Sequence, residues 1–370
     1  MGSRLVRLAI KGFKTIRALS NFEPRSVSVL IGPNGAGKSN FISFFRMLAW
    51  TLGAPSKLQE FVGKSGGANA LLYDGSAVTR ELEAEITVKT EVGENQYAFR
   101  LVFAAGDTLI FADERYRFSR ADIPQPAPWQ GLGAGHREPN LVVRAEEGDT
   151  TARVILALLR KIVVYQFHNT SETARMRCRW NVEDNRWLKE DAANIAPFLL
   201  RLRENEPRCY RRIVETIRLI LPFFADFELD PENGRLLLKW RERGSDLVFD
   251  ASQAADGMLR VMALVTLLQQ PESDLPHVLI LDEPELGLHP FAINVIGGLV
   301  RAVATHVQVI VATQSSAFLD CFEADHVVVV ERKGRETELK RLEANSLNEW
   351  LSEYSLSEIW EKNIFGGRPT

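Results

Sequence analysis

The sequence predicts an α/β fold with a central mixed sheet, an antiparallel β subdomain and an inserted helical lobe. Three observations carry that prediction. Val27–Ile31 is a short, almost wholly apolar run that passes into a glycine-rich octet and then a helical pattern. Residues 278–281 (VLIL) form a second such run and end in Asp282 and Glu283. Strands this apolar are buried on both faces, as in a parallel sheet covered by helices. Between the two runs, residues 80–117 switch to apolar–polar alternation, the mark of antiparallel strands with one wet face.

Along the chain, residues 5–10 read as a strand, Lys11, Gly12 and Phe13 as a turn, Val27–Ile31 as a buried strand and 41–52 as a helix. Leu82, Ala84, Ile86 and Val88 alternate with polar residues. Residues 96–103 and 108–112 read as further strands, with turns at 93–95 and 106–107. Residues 121–140 are rich in Pro and Gly and read as a loop. A helix over 149–160 leads into the strand Ile162–Tyr165. Residues 190–222 read as helical, with Ile195, Phe198, Leu199 and Leu202 on one face. A short β element follows near 226–249, then a helix over 256–270. Strands over 278–281, 308–312 and 326–331 complete the pattern, with a helix from about 290 to 304 between the first two. No internal repeat and no heptad array is visible.

Composition bounds the function. The 370 residues carry 45 Lys+Arg against 48 Asp+Glu, a net charge of −3, which excludes a globally basic nucleic-acid coat but not a local basic patch. The three cysteines, Cys178, Cys209 and Cys321, are too far apart for a zinc pair or a disulfide framework, so a reducing, cytoplasmic setting is expected. No apolar run reaches the ~18 residues of a membrane span, and MGSRLVRLAI lacks a secretory-leader pattern.

The octet Gly32-Pro33-Asn34-Gly35-Ala36-Gly37-Lys38-Ser39 fits G-x-x-x-x-G-K-[ST] between a buried strand and a helix. Its glycines let backbone N–H groups turn inward around phosphates, Lys38 brings positive charge to the β- and γ-phosphates, and Ser39 offers a hydroxyl to Mg²⁺. The candidate nucleotide contacts are therefore Asn34, Gly35, Ala36, Gly37, Lys38, Ser39 and Asn40. Asp282 and Glu283 sit at the carboxyl end of a central strand, where open α/β sheets bind ligands. Asp282 is placed to hold Mg²⁺ through water, and Glu283 to polarise the attacking water.

The order phosphate loop, long insertion, DG-containing helix start, LILDEPE, GLHP and VIVATQS resembles the ATP-binding-cassette ATPases, within the SMC/RecF/OLD-like group of AAA family ATPases. LVRLAIKGFKTI and SLNEWLSEYSLSEIWEKNIFGGRP also resemble stand-alone ATPases of that branch. The resemblance implies a P-loop NTPase with an ABC-type head. Its nucleotide-binding catalytic lobe would be 1–165 with 271–370, including a β meander over about 80–118. Residues 166–270 would form the inserted helical, signature-bearing lobe. The resemblance further implies a homodimer closed head-to-tail on two ATP molecules. The counterpart of the LSxGQ signature is Ala254 to Met258, so Asp256 and Gly257 would face the γ-phosphate held by the other chain, with Ala255 where a serine is usual and Ser252 nearby. Gln314 stands where a histidine usually meets the γ-phosphate; it donates a hydrogen bond but carries no proton, so slow hydrolysis is expected. Gln166 is the candidate Q-loop ligand of the metal. Lys14 and Arg17 are candidates for the base or ribose, and His289 lies in the segment that crosses the dimer interface.

The span of 218 positions from Lys38 to Asp256 leaves room for a lobe but not for a long coiled-coil arm. No nuclease acids follow residue 331. The expected role is an ATP-gated switch over a nucleic-acid process, such as anti-phage defence or DNA repair, with a separate effector such as a nuclease. The rivals are a scaffold with little hydrolysis, a RecF-like clamp on DNA and, last, a transporter ATPase subunit, which the 80–250 insertions and the terminal segment do not resemble. Arg175, Arg177, Arg179, Arg201, Arg203, Arg208, Arg211 and Arg212, with Trp180 and Trp187, either grip DNA or RNA phosphates or form a solvated face paired with acids. Trp350, Leu351, Tyr354, Leu356, Ile359 and Trp360 either cap the head's own sheet or dock a partner.

Overall fold

The structure is a computed structural model that describes residues 3–53, 57–343 and 347–367. It opens with β1 (Arg4–Phe13) and β2 (Ile16–Phe22), an antiparallel pair. The turn falls at Lys14, whose φ is 48°, and not at 11–13 as the glycine suggested. Gly12 has another purpose. A Cβ there would lie 2.2 Å from the Glu81 carbonyl oxygen of the neighbouring strand. Then come β3 (Val27–Ile31) and α1 (Lys38–Leu52). Phe41, Phe44 and Phe45 of α1 pack edge-to-face on one another and on Phe13 and Phe22.

Two short helices the sequence did not announce follow, α2 (Leu58–Lys64) and α3 (Ala68–Leu71). The meander is longer than its alternation suggested: β4 (Glu81–Thr90), β5 (Gly93–Ala104) and β6 (Thr108–Arg120). Thr90 pairs with Gly93 across the tight loop 91–92, so residues 93–95 belong to the strand and not to the turn. In β6 the alternation is masked by Glu114. It is fully buried and accepts from the Tyr97 hydroxyl at 2.8 Å and from the backbone N–H groups of Asn140 and Leu141. A charged residue there satisfies a loop and a helix start instead of facing water. The 121–140 loop contains β7 (Gln130–Gly133) and leads into α4 (Asn140–Glu146), α5 (Thr150–Leu159) and β8 (Ile162–Tyr165).

In the insertion, β9 (Trp180–Asn181) precedes α6 (Ile195–Asn205) and α7 (Pro207–Ile220). The single helical stretch expected over 190–222 is broken at Pro207, which starts a new helix at its first turn because proline lacks the N–H that an interior position needs. Next are β10 (Phe224–Glu228), β11 (Arg235–Leu236), β12 (Lys239–Glu242), β13 (Val248–Asp250) and α8 (Asp256–Gln269). The chain closes with β14 (Val278–Asp282), α9 (Pro290–Val303), β15 (Gln308–Thr313), α10 (Ser316–Leu319), β16 (Val327–Lys333), β17 (Glu336–Arg341), α11 (Asn348–Leu351) and α12 (Leu356–Glu361).

The central sheet runs β17-β16-β3-β15-β14-β8, parallel except for the β16–β17 pair. Side chains alternate between its two faces. Leu30, Ile280, Ile310 and Val328 pack with α1, α5 and the antiparallel sheet β2-β1-β4-β5-β6-β7. Val29, Leu279, Val309 and Val327 pack with α6 to α9. Both faces are thus covered, which is why these strands read as unbroken apolar runs. Leu356 and Ile359 of the terminal segment are buried in the same second core, and Ser357 donates to Asp320 at 2.6 Å. Leu356 and Ile359 thus cap the chain's own head, while Trp350 stays exposed.

Candidate nucleotide site

The loop between β3 and α1 is shaped by contacts a side chain would destroy. A Cβ on Gly32 would lie 2.1 Å from the Val330 carbonyl oxygen, and one on Gly37 (φ 111°) 2.0 Å from Thr337 Oγ1. Thr337 in turn donates to the Ala36 carbonyl at 2.9 Å, so β17 braces the loop from behind. Gly35 (φ 81°) faces open space, as does the exposed Asn34. Lys38 is 5% exposed, with its ammonium on the carbonyls of Gly32 and Pro33, the latter at 3.1 Å. Burial lowers its pKa, and Glu283, Asp282 and Glu285 push the other way. Ser39 is exposed at the first turn of α1, while the Asn40 amide donates to Thr15 Oγ1 at 2.8 Å and so ties α1 to the first turn. A cavity of about 540 Å³ beside the loop is lined by Lys14, Thr15, Asn40, Asp74 and Arg335 among others. Lys14 reaches it from its donation to Ser43 at 2.8 Å; Arg17 is exposed on β2 and is not part of the lining.

At the carboxyl end of β14, Asp282 is 6% exposed. Its Oδ2 receives the Gln166 amide at 3.1 Å and the Arg46 guanidinium at 3.2 Å, and its carbonyl meets His168 Nε2 at 2.9 Å. Arg46 also donates to Gln166 Oε1 at 2.6 Å. Burial raises the Asp282 pKa; Arg46, His168 and Lys38 oppose it and Glu283 adds to it. The structure therefore brings Gln166 and Asp282 together across 116 residues of chain. It adds Arg46 and His168, which sequence reasoning passed over. Arg46 lies two helical turns beyond Lys38 on α1, and that spacing was the only signal available.

One strand over, β15 ends in Thr313, and Gln314 follows it. The Glu283 N–H donates to the Ala312 carbonyl at 2.8 Å, which locks the ends of β14 and β15 together with Glu283 at φ 43°. The Gln314 amide donates to Glu283 Oε1. The two residues read separately from the sequence are thus in direct contact.

Asp256 and Gly257 open α8 on the far side. Among the described contacts Asp256 meets Arg177 and not the 32–39 loop of the same chain, and a Cβ on Gly257 would lie 3.0 Å from the Gly287 carbonyl oxygen. Ala255 occupies the N-cap with no side-chain cap bond. Arg177 holds this helix start through the carbonyls of Ala251 and Ala254, the latter at 3.0 Å. Arg260 ties the Leu286 carbonyl (2.9 Å) to those of Phe167 (3.2 Å) and His168 (3.1 Å). His289 caps α9 through Nδ1, which accepts from the Phe291 N–H at 3.3 Å.

The arginines of the insertion are largely engaged within the chain. Arg175 pairs with Asp191, Arg179 with Glu232 and Arg201 with Asp274. Arg203 and Arg212 donate to the carbonyls of Leu229 and Gln269, and Arg211 to that of Pro207. Most of these guanidinium groups thus have a partner within the chain, three of them an acid and three a backbone carbonyl. Among the described residues no helix is long and apolar enough to cross a membrane.

A family model described as "AAA domain, putative AbiEii toxin, Type IV TA system" matches residues 27–134 and 148–320. No curated protein matches the sequence. The fold is similar to an SMC head solved bound to the C-winged helix domain of ScpA. The TM-score is 0.62 at 14% identity, over 93% of this chain and 99% of that one. It is also similar to the Pyrococcus furiosus Smc head domain with an extended coiled coil, bound to the C-terminal domain of ScpA. There the TM-score is 0.59 at 14% identity, over 95% of this chain and 99% of that one. The chain thus shares the fold of the SMC head domains.

Proposed function

The chain belongs to this AAA-domain family, and we propose on that premise that it is an ATP-gated switch: it binds ATP, closes as a head-to-tail homodimer and opens after slow hydrolysis. The observation that carries the reading is the convergence of Lys38, Asp282, Glu283 and Gln314 at the carboxyl ends of adjacent parallel strands. Lys38 and the N–H groups of 34–40 would hold the phosphates. Glu283 would polarise the attacking water, with Gln314 fixing its carboxylate. Asp256 and Gly257 of a second copy would complete the site; in their own chain Asp256 pairs with Arg177 and, among the described contacts, not with the loop. The donors Ser39 Oγ, Asp282 and Gln166 are oxygens suited to Mg²⁺, and the buried Asp282 carboxylate already has a cation, Arg46, beside it. Bound there with ATP, Mg²⁺ would neutralise charge on the β- and γ-phosphate oxygens.

We keep 166–270 as the inserted lobe and 1–165 with 271–370 as the catalytic lobe. In support, among the described residues β9 to β13 pair with one another and with no other strand. The output would lie in a separate effector protein, such as a nuclease, acting in anti-phage defence or DNA repair. The SMC heads of similar fold were solved with a second protein bound. The paired arginines lend little support to direct DNA or RNA binding.

A scaffold with little hydrolysis is the second reading, favoured by the bare N-cap at Ala255 and by Gln314. Lys38→Ala tests the proposal. It should abolish both ATP binding and ATP-dependent dimerisation in sedimentation, and a variant that still dimerises on ATP contradicts it.

A further inference from the structure

Glu285 lies beyond the pair already described, and nothing above requires it. It is 8% exposed. Its Oε1 accepts from the Thr313 hydroxyl at 2.5 Å and from the Gln314 backbone N–H at 3.4 Å. Thr313 Oγ1 accepts the Ser315 N–H at 3.0 Å, so its single proton is free for the carboxylate. Glu285 Oε2 is buried with no partner among the described residues. A buried carboxylate is costly in an apolar sheet unless hydrogen bonds hold it. Burial raises the Glu285 pKa, and the Thr313 hydroxyl opposes the rise.

The bonds form a chain. Glu285 grips the backbone at Thr313 and Gln314; the Gln314 side chain then donates to Glu283. The orientation of the Gln314 amide depends on where the 313–315 turn is held; Glu283 meets the turn at that side-chain amide, whereas Glu285 holds the Thr313 hydroxyl and the Gln314 backbone.

We propose that Glu285 is a positioning residue for ATP hydrolysis, which fixes the 313–315 turn so that Gln314 meets Glu283. It acts through Gln314 and touches no reacting atom. This rests on the reading of Glu283 as the residue that polarises water.

The test is steady-state ATP turnover of the full chain as parent, Glu285→Ala, Glu285→Gln, Gln314→Ala and the double variant Glu285→Ala with Gln314→Ala. Glu285→Ala should lower kcat by about tenfold or more and leave KM within about twofold. Glu285→Gln keeps an accepting oxygen and should recover most of the rate. The double variant should be no slower than the slower single, because both changes break one chain of contacts. If Glu285→Ala fails to fold, Thr313→Val removes the hydroxyl at constant shape and must show the same kcat loss. Losses that multiply in the double variant overturn the proposal, as does a change in KM without a change in kcat. Glu283→Gln in the same assay separates the two claims. If it is slow while Glu285→Ala matches the parent, only the positioning role falls. If Glu283→Gln turns over at the parental rate, the reading of the site falls and the positioning role with it.

Discussion

The Arg46 guanidinium lies 3.2 Å from the Asp282 carboxylate, a pair joining the phosphate-loop helix to the strand that carries the acids. Asp282 is almost fully buried and Arg46 about one-third exposed. Removing the cation leaves a buried charge without compensation, which costs ~3–5 kcal/mol in a fully buried pair and less where solvent reaches one partner. Arg46→Met should therefore lower the stability of the nucleotide-free chain by about 2 kcal/mol. Mg²⁺ with a non-hydrolysable ATP analogue should recover most of that loss, because the metal replaces the missing charge. Calorimetry with and without Mg²⁺ and analogue reads both effects. Equal destabilisation in the two conditions would separate Arg46 from the metal site.

Gly37 tests the loop geometry. A methyl group there must displace Thr337, at 2.0 Å, and force an alanine to a φ of 111°. Gly37→Ala should lower the melting temperature and abolish ATP binding. Thr337→Ala in the double variant removes the two closest atoms but leaves the Cβ of residue 337 at 2.9 Å and the strained backbone, so binding should return only in part.

Ala255 tests the partner-facing helix start. A serine at this N-cap would satisfy a free helix N–H, worth about 1 kcal/mol in the isolated chain. Its hydroxyl would also meet the γ-phosphate of the other protomer, worth roughly 1.5–3 kcal/mol more. Ala255→Ser should tighten the ATP-bound dimer beyond what its gain in monomer stability explains. Sedimentation on the Glu283→Gln background gives the dimer affinity, and calorimetry without nucleotide gives the cap.

Glu285 gives a pH signature. Burial raises its pKa from 4.5, so the native state holds the proton more tightly than the unfolded chain. Stability from this group is full at acid pH and is lost as pH rises through the native pKa. Glu285→Gln has no such loss. It should raise the melting temperature more at ~pH 7.5 than at ~pH 5, where the parental carboxyl is closer to neutral. An equal gain at both values would place the Glu285 pKa outside that window.

The parallel strands and the loop were legible because burial on both faces leaves apolar runs and because the octet has few alternatives. The end of β6 was not, since Glu114 is a buried acid satisfied by an N–H of the distant α4, and local alternation does not reveal such partners. The same reason hid Arg46, His168 and Glu285. Each acts through a contact spanning at least 28 residues, whereas Lys38, Asp282 and Glu283 announce themselves by their neighbours in sequence. The insertion was half legible: its helices showed periodicity, but the break at Pro207 and the strand pairs of two to five residues did not.

Glu283→Gln is the most direct measurement on the central claim. Sedimentation with ATP and Mg²⁺, paired with phosphate release, reads dimer closure and turnover in one preparation. The account predicts a variant that binds ATP as the parent does, accumulates as a stable dimer and releases at least about a hundredfold less phosphate. Phosphate release at the parental rate, or a chain that stays monomeric with ATP bound, would contradict it.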